Sequence, residues 1–373
     1  MFIVWEAVML SGGAEKAAVS KVYRPKIFAS LITEVVKPGK CVGCGACVAV
    51  CPPGVVKFKE VPGKDEQPIL AGKCLLCEFC YYQCPMTAPE EKELEAMIFG
   101  RNSSEMEPFG IFMKAYSVKA VKDEILKVAS DGGAVTAILA YGLSEGLLQG
   151  AAVAGVRKDM PWKPEAKLAL TVEDLLEAAG TKYSVAPVFL ALGEAVDGYS
   201  LEKVGFVGTP CQVRAVRKMQ YGAHGAIKYG NRVKLTIGLF CSENFYYDTL
   251  IKEFVASKAD LSKVTKFYIR AGKFVVEAGE EKVVDVKIKE VKSYARSNCE
   301  YCTDFAANLA DISAGNVDSP KGWSTVIVRT EAGMKFLEGA VEKGWIEAKP
   351  LDIKPDGILV KLASRKRGKE EAK

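Results

Sequence analysis

The sequence predicts a mixed protein, α/β or α+β, in two parts: a small module punctuated by cysteines and a larger α/β domain. Eight of its twelve cysteines fall into two runs of one spacing between Cys41 and Cys84. From about Phe109 onward, short apolar runs with strand character alternate with helical patterns and turn signals. The 373 residues, 49% apolar and 26% charged, have the balance of an ordinary globular protein and the length for more than one domain. The division expected is an N-terminal extension over 1–30, the cysteine module over 31–108, the larger domain over 109–364 and a charged tail over 365–373.

The first run reads Cys41-Val-Gly-Cys44-Gly-Ala-Cys47-Val-Ala-Val-Cys51-Pro52, and the second Cys74-Leu-Leu-Cys77-Glu-Phe-Cys80-Tyr-Tyr-Gln-Cys84-Pro85. Both are C-x2-C-x2-C-x3-C-P, the spacing of bacterial ferredoxins that hold two 4Fe–4S clusters. Three thiolates at this spacing wrap one face of a cubane, and Gly43, Gly45 and Ala46 let the backbone approach the sulfides. The fourth cysteine of each run leaves its own loop for the other cluster. This assigns Cys41, Cys44, Cys47 and Cys84 to one cluster, and Cys51, Cys74, Cys77 and Cys80 to the second. Zinc calls for two pairs rather than two runs of four, and the chain has one histidine, His224. Disulfides belong to small secreted domains. The apolar start Phe2–Leu10 lacks a basic leader and contains Glu6, which makes it a poor signal peptide, and Met9 is a second candidate initiator. A reducing cytoplasm is the compartment expected.

A net charge of +5 is small for this length and gives no case for nucleic-acid binding. Arg365 to Glu371 reads as a solvated tail, and Lys57 to Gln67 as a charged insert between the halves of the module. The longest apolar stretch is broken by Glu145, so no membrane span is expected.

In the larger domain, Ser130-Asp131-Gly132-Gly133 precedes a helix from Ala134 to about Glu145, and Ala151 to Val156 is a strand. Thr171-Val172-Glu173-Asp174 is a capping box opening a helix that stops at Gly180. Lys203 to Val207 is a buried strand, Gly208 to Gln212 a turn and Val213 to Met219 a helix. Val233 to Phe240 is a strand ending at Cys241, and Phe267 to Glu277 a hairpin around Gly272. Thr325 to Arg329 is a strand before a helix from Glu331 to Lys343.

Cys211, Cys241, Cys299 and Cys302 make a second constellation. Cys299-Glu300-Tyr301-Cys302 is a pair at metal-ligand spacing, and Cys211 and Cys241 each follow an expected strand, where loops of an α/β sheet gather. Four thiols suit one more 4Fe–4S cluster, a four-thiolate zinc site or separate buried positions, and spacing leaves the three open.

From Ser130 onward the chain resembles the beta subunit of coenzyme F420-reducing hydrogenase and its relatives. The resemblance rests on Ser130-Asp131-Gly132-Gly133-Ala134-Val135-Thr136, Gly180-Thr181-Lys182-Tyr183, Val207-Gly208-Thr209-Pro210-Cys211-Gln212 and Gly238-Leu239-Phe240-Cys241. It continues through Cys299-Glu300-Tyr301-Cys302-Thr303-Asp304-Phe305 and Ala310 to Asn316, running into Gly322-Trp323-Ser324-Thr325. The resemblance implies an FAD beside a third 4Fe–4S cluster, the latter held by Cys211, Cys241, Cys299 and Cys302. It implies that the flavin sits among Ser130, Gly132, Gly133, Thr136, Lys182, Tyr183, Thr209 and Gln212, with Lys182 the candidate catalytic residue. Glycines ahead of a helix suit a pyrophosphate, and a lysine near the flavin N1 favours the anionic reduced ring. Asp311 binds ribose or caps a turn. Neither G-x-G-x-x-G nor G-x-x-x-x-G-K followed by Ser or Thr occurs, which argues against a Rossmann nicotinamide domain and a nucleotide hydrolase.

The function expected is hydride exchange between FAD and a two-electron carrier, coenzyme F420 or similar, with three clusters relaying single electrons to or from a hydrogenase or dehydrogenase partner. The alternatives are a non-catalytic iron–sulfur adaptor, or the same flavin scaffold serving NAD(P)H or a protein redox partner. No nickel, molybdenum or tungsten ligand set is visible, so a hydrogen- or formate-oxidising centre belongs to a partner.

Overall fold

A computed structural model describes residues 24–63, 65–89 and 91–368. Most of the N-terminal extension, residues 1–23, and tail residues 369–373 lie outside them, as does Lys64 of the charged insert.

The charged insert is a hairpin, β1 (Val56–Glu60) paired antiparallel with β2 (Glu66–Leu70). The larger domain is built on eight strands: β3 (Lys114–Ala120), β4 (Gly150–Val156), β5 (Pro164–Ala169), β6 (Val204–Gly208), β7 (Val233–Leu239), and, after a separate antiparallel unit, three more. That unit is β8 (Lys266–Arg270), β9 (Lys273–Ala278) and β10 (Glu281–Lys287). The remaining strands are β11 (Ile312–Gly315), β12 (Ser324–Val328) and β13 (Ile346–Pro350). The order across the large sheet is β13-β3-β12-β11-β7-β6-β4-β5. Its centre, β4-β6-β7-β11, is parallel, and both flanks are antiparallel. The buried apolar run of β6 suits such a centre, where both faces are covered.

Helices Ala134–Ser144 and Glu331–Glu342 cover one face, burying Ile138, Leu139, Phe336 and Leu337 against Val207, Leu235 and Val326. Helices Phe189–Gly193 and Pro210–Tyr221 cover the other, around Phe189, Phe206 and Val216. Val42, Cys44, Ala46 and Val50 of the cysteine module belong to that same second core. The module also keeps a core of its own around Leu31, Val35, Val56 and Tyr81, so it packs partly within itself and partly on the larger domain.

Three local expectations are corrected. The segment 208–212 is not a turn ahead of a helix. Pro210 supplies the N1 position and Thr209 the cap, so Cys211 and Gln212 lie in the first turn of helix Pro210–Tyr221. The helix opened by the Thr171 capping box ends at Glu177, short of Gly180. The start of the expected solvated tail is helical: helix Ile358–Arg367 runs through it, leaving Arg365 exposed and burying Lys366, while residues 369–371 lie outside the described residues.

Candidate redox site

The cysteine module wraps a hollow of about 330 Å³, its open mouth included, whose walls carry Cys41, Cys44, Cys47 and Cys84 among apolar Leu31, Val35, Val42, Phe58 and Pro68. That is the set expected from the crossed pairing of the two runs. Gly43 and Gly45 take left-handed backbone angles there, φ 67° and 89°, which bring the loop round on itself. Burial pushes the thiols of Cys44 and Cys47 well up, Cys84 to about 11 and Cys80 to about 12. For Cys80 the neighbouring thiols that add to burial are Cys77, Cys74 and Cys51, the members of the second set. Cys77 is exposed, as are Leu75 and Leu76 beside it.

Cys211, Cys241, Cys299 and Cys302 come within electrostatic reach of one another from distant parts of the chain. Parallel β6 and β7 are neighbours, so Cys211, in the helix after β6, and Cys241, just after β7, arrive at the same carboxyl edge of the sheet. Cys299 lies in the short turn Ser297–Tyr301, held when Asn244 donates its N–H to the Cys299 Sγ at 3.3 Å. Cys241 donates its backbone N–H to the Phe305 carbonyl, which ties it to the segment after Cys302. Burial raises Cys211 to about 12 and Cys241 higher, and each feels other thiols of the four. Among the described residues no three ligating side chains converge on one point, as a single metal ion would require. Cys44 lies within electrostatic reach of Cys211, so the two constellations are adjacent.

Two buried cations, neither singled out from the sequence, join the module to the larger domain. Lys218 lies seven residues after Cys211, two helical turns along the same face. Its ammonium donates to the Cys84 carbonyl and to the Thr87 carbonyl and hydroxyl, the last two at 2.7 and 2.9 Å. Burial lowers it to about 7. Arg296 pairs with Asp65 of the β1–β2 turn, donates to the Cys41 carbonyl at 3.1 Å and to Asn298 at 3.1 Å. It thus connects the loop of the first set to the loop carrying Cys299. The hairpin is fastened further by Lys163 to Glu60 at 2.5 Å, so the charged insert lies partly against its own chain. The spacing from Cys211 to Lys218 was the available signal; for Arg296 there was only its place three residues before Cys299.

The residues expected around a flavin are gathered less completely. Ser130 and Thr181 share a hydrogen bond at 2.6 Å, which joins the Ser130–Gly133 loop to the Gly180–Tyr183 segment. Gly133, at φ 72°, precedes helix Ala134–Ser144, whose amino end has no side-chain cap, so the first-turn N–H groups, Thr136 included, face outward along the helix axis. A Cβ on Gly132 would fall 2.4 Å from the Val118 carbonyl and 2.5 Å from the Ser324 nitrogen, so this glycine is fixed by packing against β3 and β12. Lys182 donates to the Ala178 and Ala179 carbonyls, and burial, then Lys167, lowers it to about 8. Tyr183 packs edge-on to Phe245 and Phe274 in the core of the β8–β10 unit. Thr209 and Gln212 complete one another's hydrogen bonds as a capping box, and Gln212 also donates to the Ala186 carbonyl at 2.7 Å. Asp311, expected at a ribose or a turn, is instead buried with Arg217 at 2.8 Å and accepts from Thr236 and Thr330, so its oxygens are taken.

Known proteins align with this architecture. Residues 115–193 match the family described as coenzyme F420 hydrogenase/dehydrogenase, beta subunit N-term, residues 201–354 its C terminus, and residues 40–88 the 4Fe-4S dicluster domain. The coenzyme F420 hydrogenase subunit beta of Methanothermobacter thermautotrophicus is 43% identical over 266 residues, 70% of this chain and 94% of that protein. The coenzyme F420-dependent sulfite reductase of Methanocaldococcus jannaschii is 37% identical over 83% of this chain and 47% of its own length. In the solved F420-reducing NiFe hydrogenase complex from Methanosarcina barkeri, one chain superposes with a TM-score of 0.66 at 40% identity, covering 71% of this chain and 92% of that one. Among the described residues no helix is long and apolar enough to cross a membrane. Identity over nearly the whole of the hydrogenase beta subunits, on a shared sheet, places this chain in the family of coenzyme F420 hydrogenase/dehydrogenase beta subunits, with a 4Fe-4S dicluster domain ahead of the family's own two parts.

Proposed function

We propose that the chain is an iron–sulfur flavoprotein subunit that exchanges a hydride between FAD and coenzyme F420, or a similar two-electron carrier, and passes single electrons through three 4Fe–4S clusters. The partner at the other end is a hydrogenase or dehydrogenase subunit in the cytoplasm. The observation that carries this is that Cys211, Cys241, Cys299 and Cys302 lie within electrostatic reach of one another, beside the hollow lined by Cys41, Cys44, Cys47 and Cys84. A flavin supplies the exchange between two-electron and one-electron chemistry that links a hydride carrier to such a row of thiolate sites.

The residues have separable tasks. The uncapped amino end of helix Ala134–Ser144 offers N–H groups to a pyrophosphate, and Ser130 with Thr181 sets the loop in front of it. Gly132 lets that loop pack without a side chain between β3 and β12, and Gly133 lets it pass close to Ile125 and Ala120. Lys182 needs only to leave the Ala178 and Ala179 carbonyls to offer its charge to a reduced ring. Thr209 and Gln212 hold Cys211 in the first helical turn, Thr209 Oγ1 lying 3.2 Å from its sulfur. The raised thiols of Cys211 and Cys241 are deprotonated on binding iron, so loading the site releases protons.

Anaerobically purified protein is expected to hold about 12 iron, about 12 acid-labile sulfide and one FAD per chain. Mixing with reduced F420 should bleach the flavin before the clusters. Stoichiometric zinc with about 8 iron would remove the third cluster. A lack of flavin and of any response to hydride donors would leave an adaptor that only conducts.

A further inference from the structure

We infer that Lys366, on the C-terminal helix, is a positioning residue for the third four-thiol site and sets the potential at which that site accepts an electron. The inference rests on the reading of Cys211, Cys241, Cys299 and Cys302 as cluster ligands. It adds a residue beyond position 354, where the family match ends.

The side chain of Lys366 is buried, with 5% of the residue exposed, in a segment otherwise rich in charge. Its ammonium donates to the Cys241 carbonyl at 2.5 Å. Cys211, Cys241 and Cys299 each feel its charge, and it in turn feels Cys302, so one cation lies within electrostatic reach of all four thiols. The carboxylate it feels most is Asp304, two residues past Cys302, which offsets part of that charge.

The placement is built rather than incidental. Asp318 accepts the Ile358 and Leu359 N–H groups at 2.9 Å each and so fixes the amino end of helix Ile358–Arg367. Leu359 and Ala363 pack on Phe109, Phe305 and Ile327, and positions 359, 363 and 366 share one helical face. Arg367 donates to the Ser104 carbonyl and Ser103 hydroxyl at 3.1 Å, which locks the far end onto the linker. These anchors hold the helix so that the Lys366 ammonium stays on the Cys241 carbonyl, beside the four-thiol site.

A buried cation is costly, and beyond the Cys241 carbonyl and Asp304 the Lys366 ammonium gains further stabilisation where the thiols beside it are anionic. Four thiolates around a cluster are. Taking up one electron from reduced flavin, or from an added reductant, puts one more negative charge on the site, and the nearby cation lowers the cost of that charge. At separations of several ångströms and an effective dielectric of about 20, that attraction exceeds what a tenfold change in the redox equilibrium requires.

The test is an anaerobic redox titration of the full chain followed by electron paramagnetic resonance, with the two module clusters as internal reference. In Lys366→Gln, at the potential that half-reduces the third cluster in the wild type, its reduced-to-oxidised ratio should fall at least about tenfold, while the module clusters titrate unchanged. Lys366→Arg should stay near the wild type. An unshifted titration in Lys366→Gln with about 12 iron retained would overturn the assignment. If Lys366→Gln instead loses about 4 iron, retention of that iron in Lys366→Arg shows that the charge holds the thiolates; equal loss in both overturns it. A wild type with only about 8 iron removes the cluster reading itself, and this assignment with it.

Discussion

The two kinds of thiol site in this chain are built in opposite ways. The hollow with Cys41, Cys44, Cys47 and Cys84 is written locally, in tight loops with left-handed glycines and one returning cysteine. The other site has only the Cys299–Cys302 pair as a local form. Its thiols come from the first turn of a helix, the end of β7 and a short turn before Asp304, and they meet because β6 and β7 lie side by side. A local site can be carried from one fold to another, whereas a site assembled by strand order belongs to the fold. The contact between them is equally non-local: Lys218 and Arg296, both from the larger domain, bond the carbonyls of Cys84 and Cys41.

The largest expected effect separates the two sites. Cys299→Ser with Cys302→Ser should remove about 4 of about 12 iron and abolish turnover with any hydride donor, while the module's low-potential signals remain. Cys44→Ser should be less tidy, because Cys44 belongs to the core shared with Phe189 and its carbonyl accepts the Phe189 N–H at 3.2 Å. Loss of module signals in the double variant would mean that the sites fold as one unit.

A smaller effect is expected at the junction. Lys218→Met takes the Lys218 donor from the buried Thr87 carbonyl, while the Cys84 carbonyl keeps the Thr87 N–H and hydroxyl, and should destabilise the chain by about 1–3 kcal/mol in urea unfolding. Relief from burying the charge offsets part of that loss. Arg296→Met removes the pair with Asp65 and strands that carboxylate, whose proton affinity burial already raises. The cost should again be a few kcal/mol, and Asp65→Asn in the same background should recover part of it. Simple additivity of the two changes would break the claim that they are partners.

The same contrast explains what the sequence disclosed. The cysteine runs carried their own geometry, and the alternating texture after Phe109 carried the sheet class, because both are short-range signals. Helix Ala134–Ser144 and the Thr171 cap were legible for the same reason. Strands β3, β11 and β13 were not, since β3 joins β12 and β13 only through pairings made far along the chain. Lys366 reads as tail because Arg365, Lys366 and Arg367 look solvated, and only the packing of Leu359 and Ala363 turns that helix inward. Thr209, Gln212 and Asp311 show the converse. Family resemblance drew attention to them, and each is occupied by a bond within the protein.

The last expected effect lies at Lys182, outside both thiol sites, and is read by pH. Burial holds Lys182 down at about 8 from an ordinary value near 10.5. Below pH 8 both folded and unfolded chains carry the proton, and the folded state bears the full cost of a buried charge. Between about 8 and 10.5 the unfolded chain still holds a proton that the folded one has released, so stability rises with pH. The slope from this one group is at most about 1.4 kcal/mol per pH unit, and above the window it is flat again. Anaerobic urea unfolding of flavin-free protein at pH 7, 8, 9 and 10 should show that rise, and Lys182→Met should flatten it. Adding FAD and reducing it should move the window to higher pH, because an anionic ring beside Lys182 would hold its proton. A window that stays in place when the flavin is bound and reduced would leave Lys182 as a cap on the Ala178 and Ala179 carbonyls, and would transfer the search for the flavin's cation to Arg270, which lies at 2.7 Å from Asp131 in the same loop.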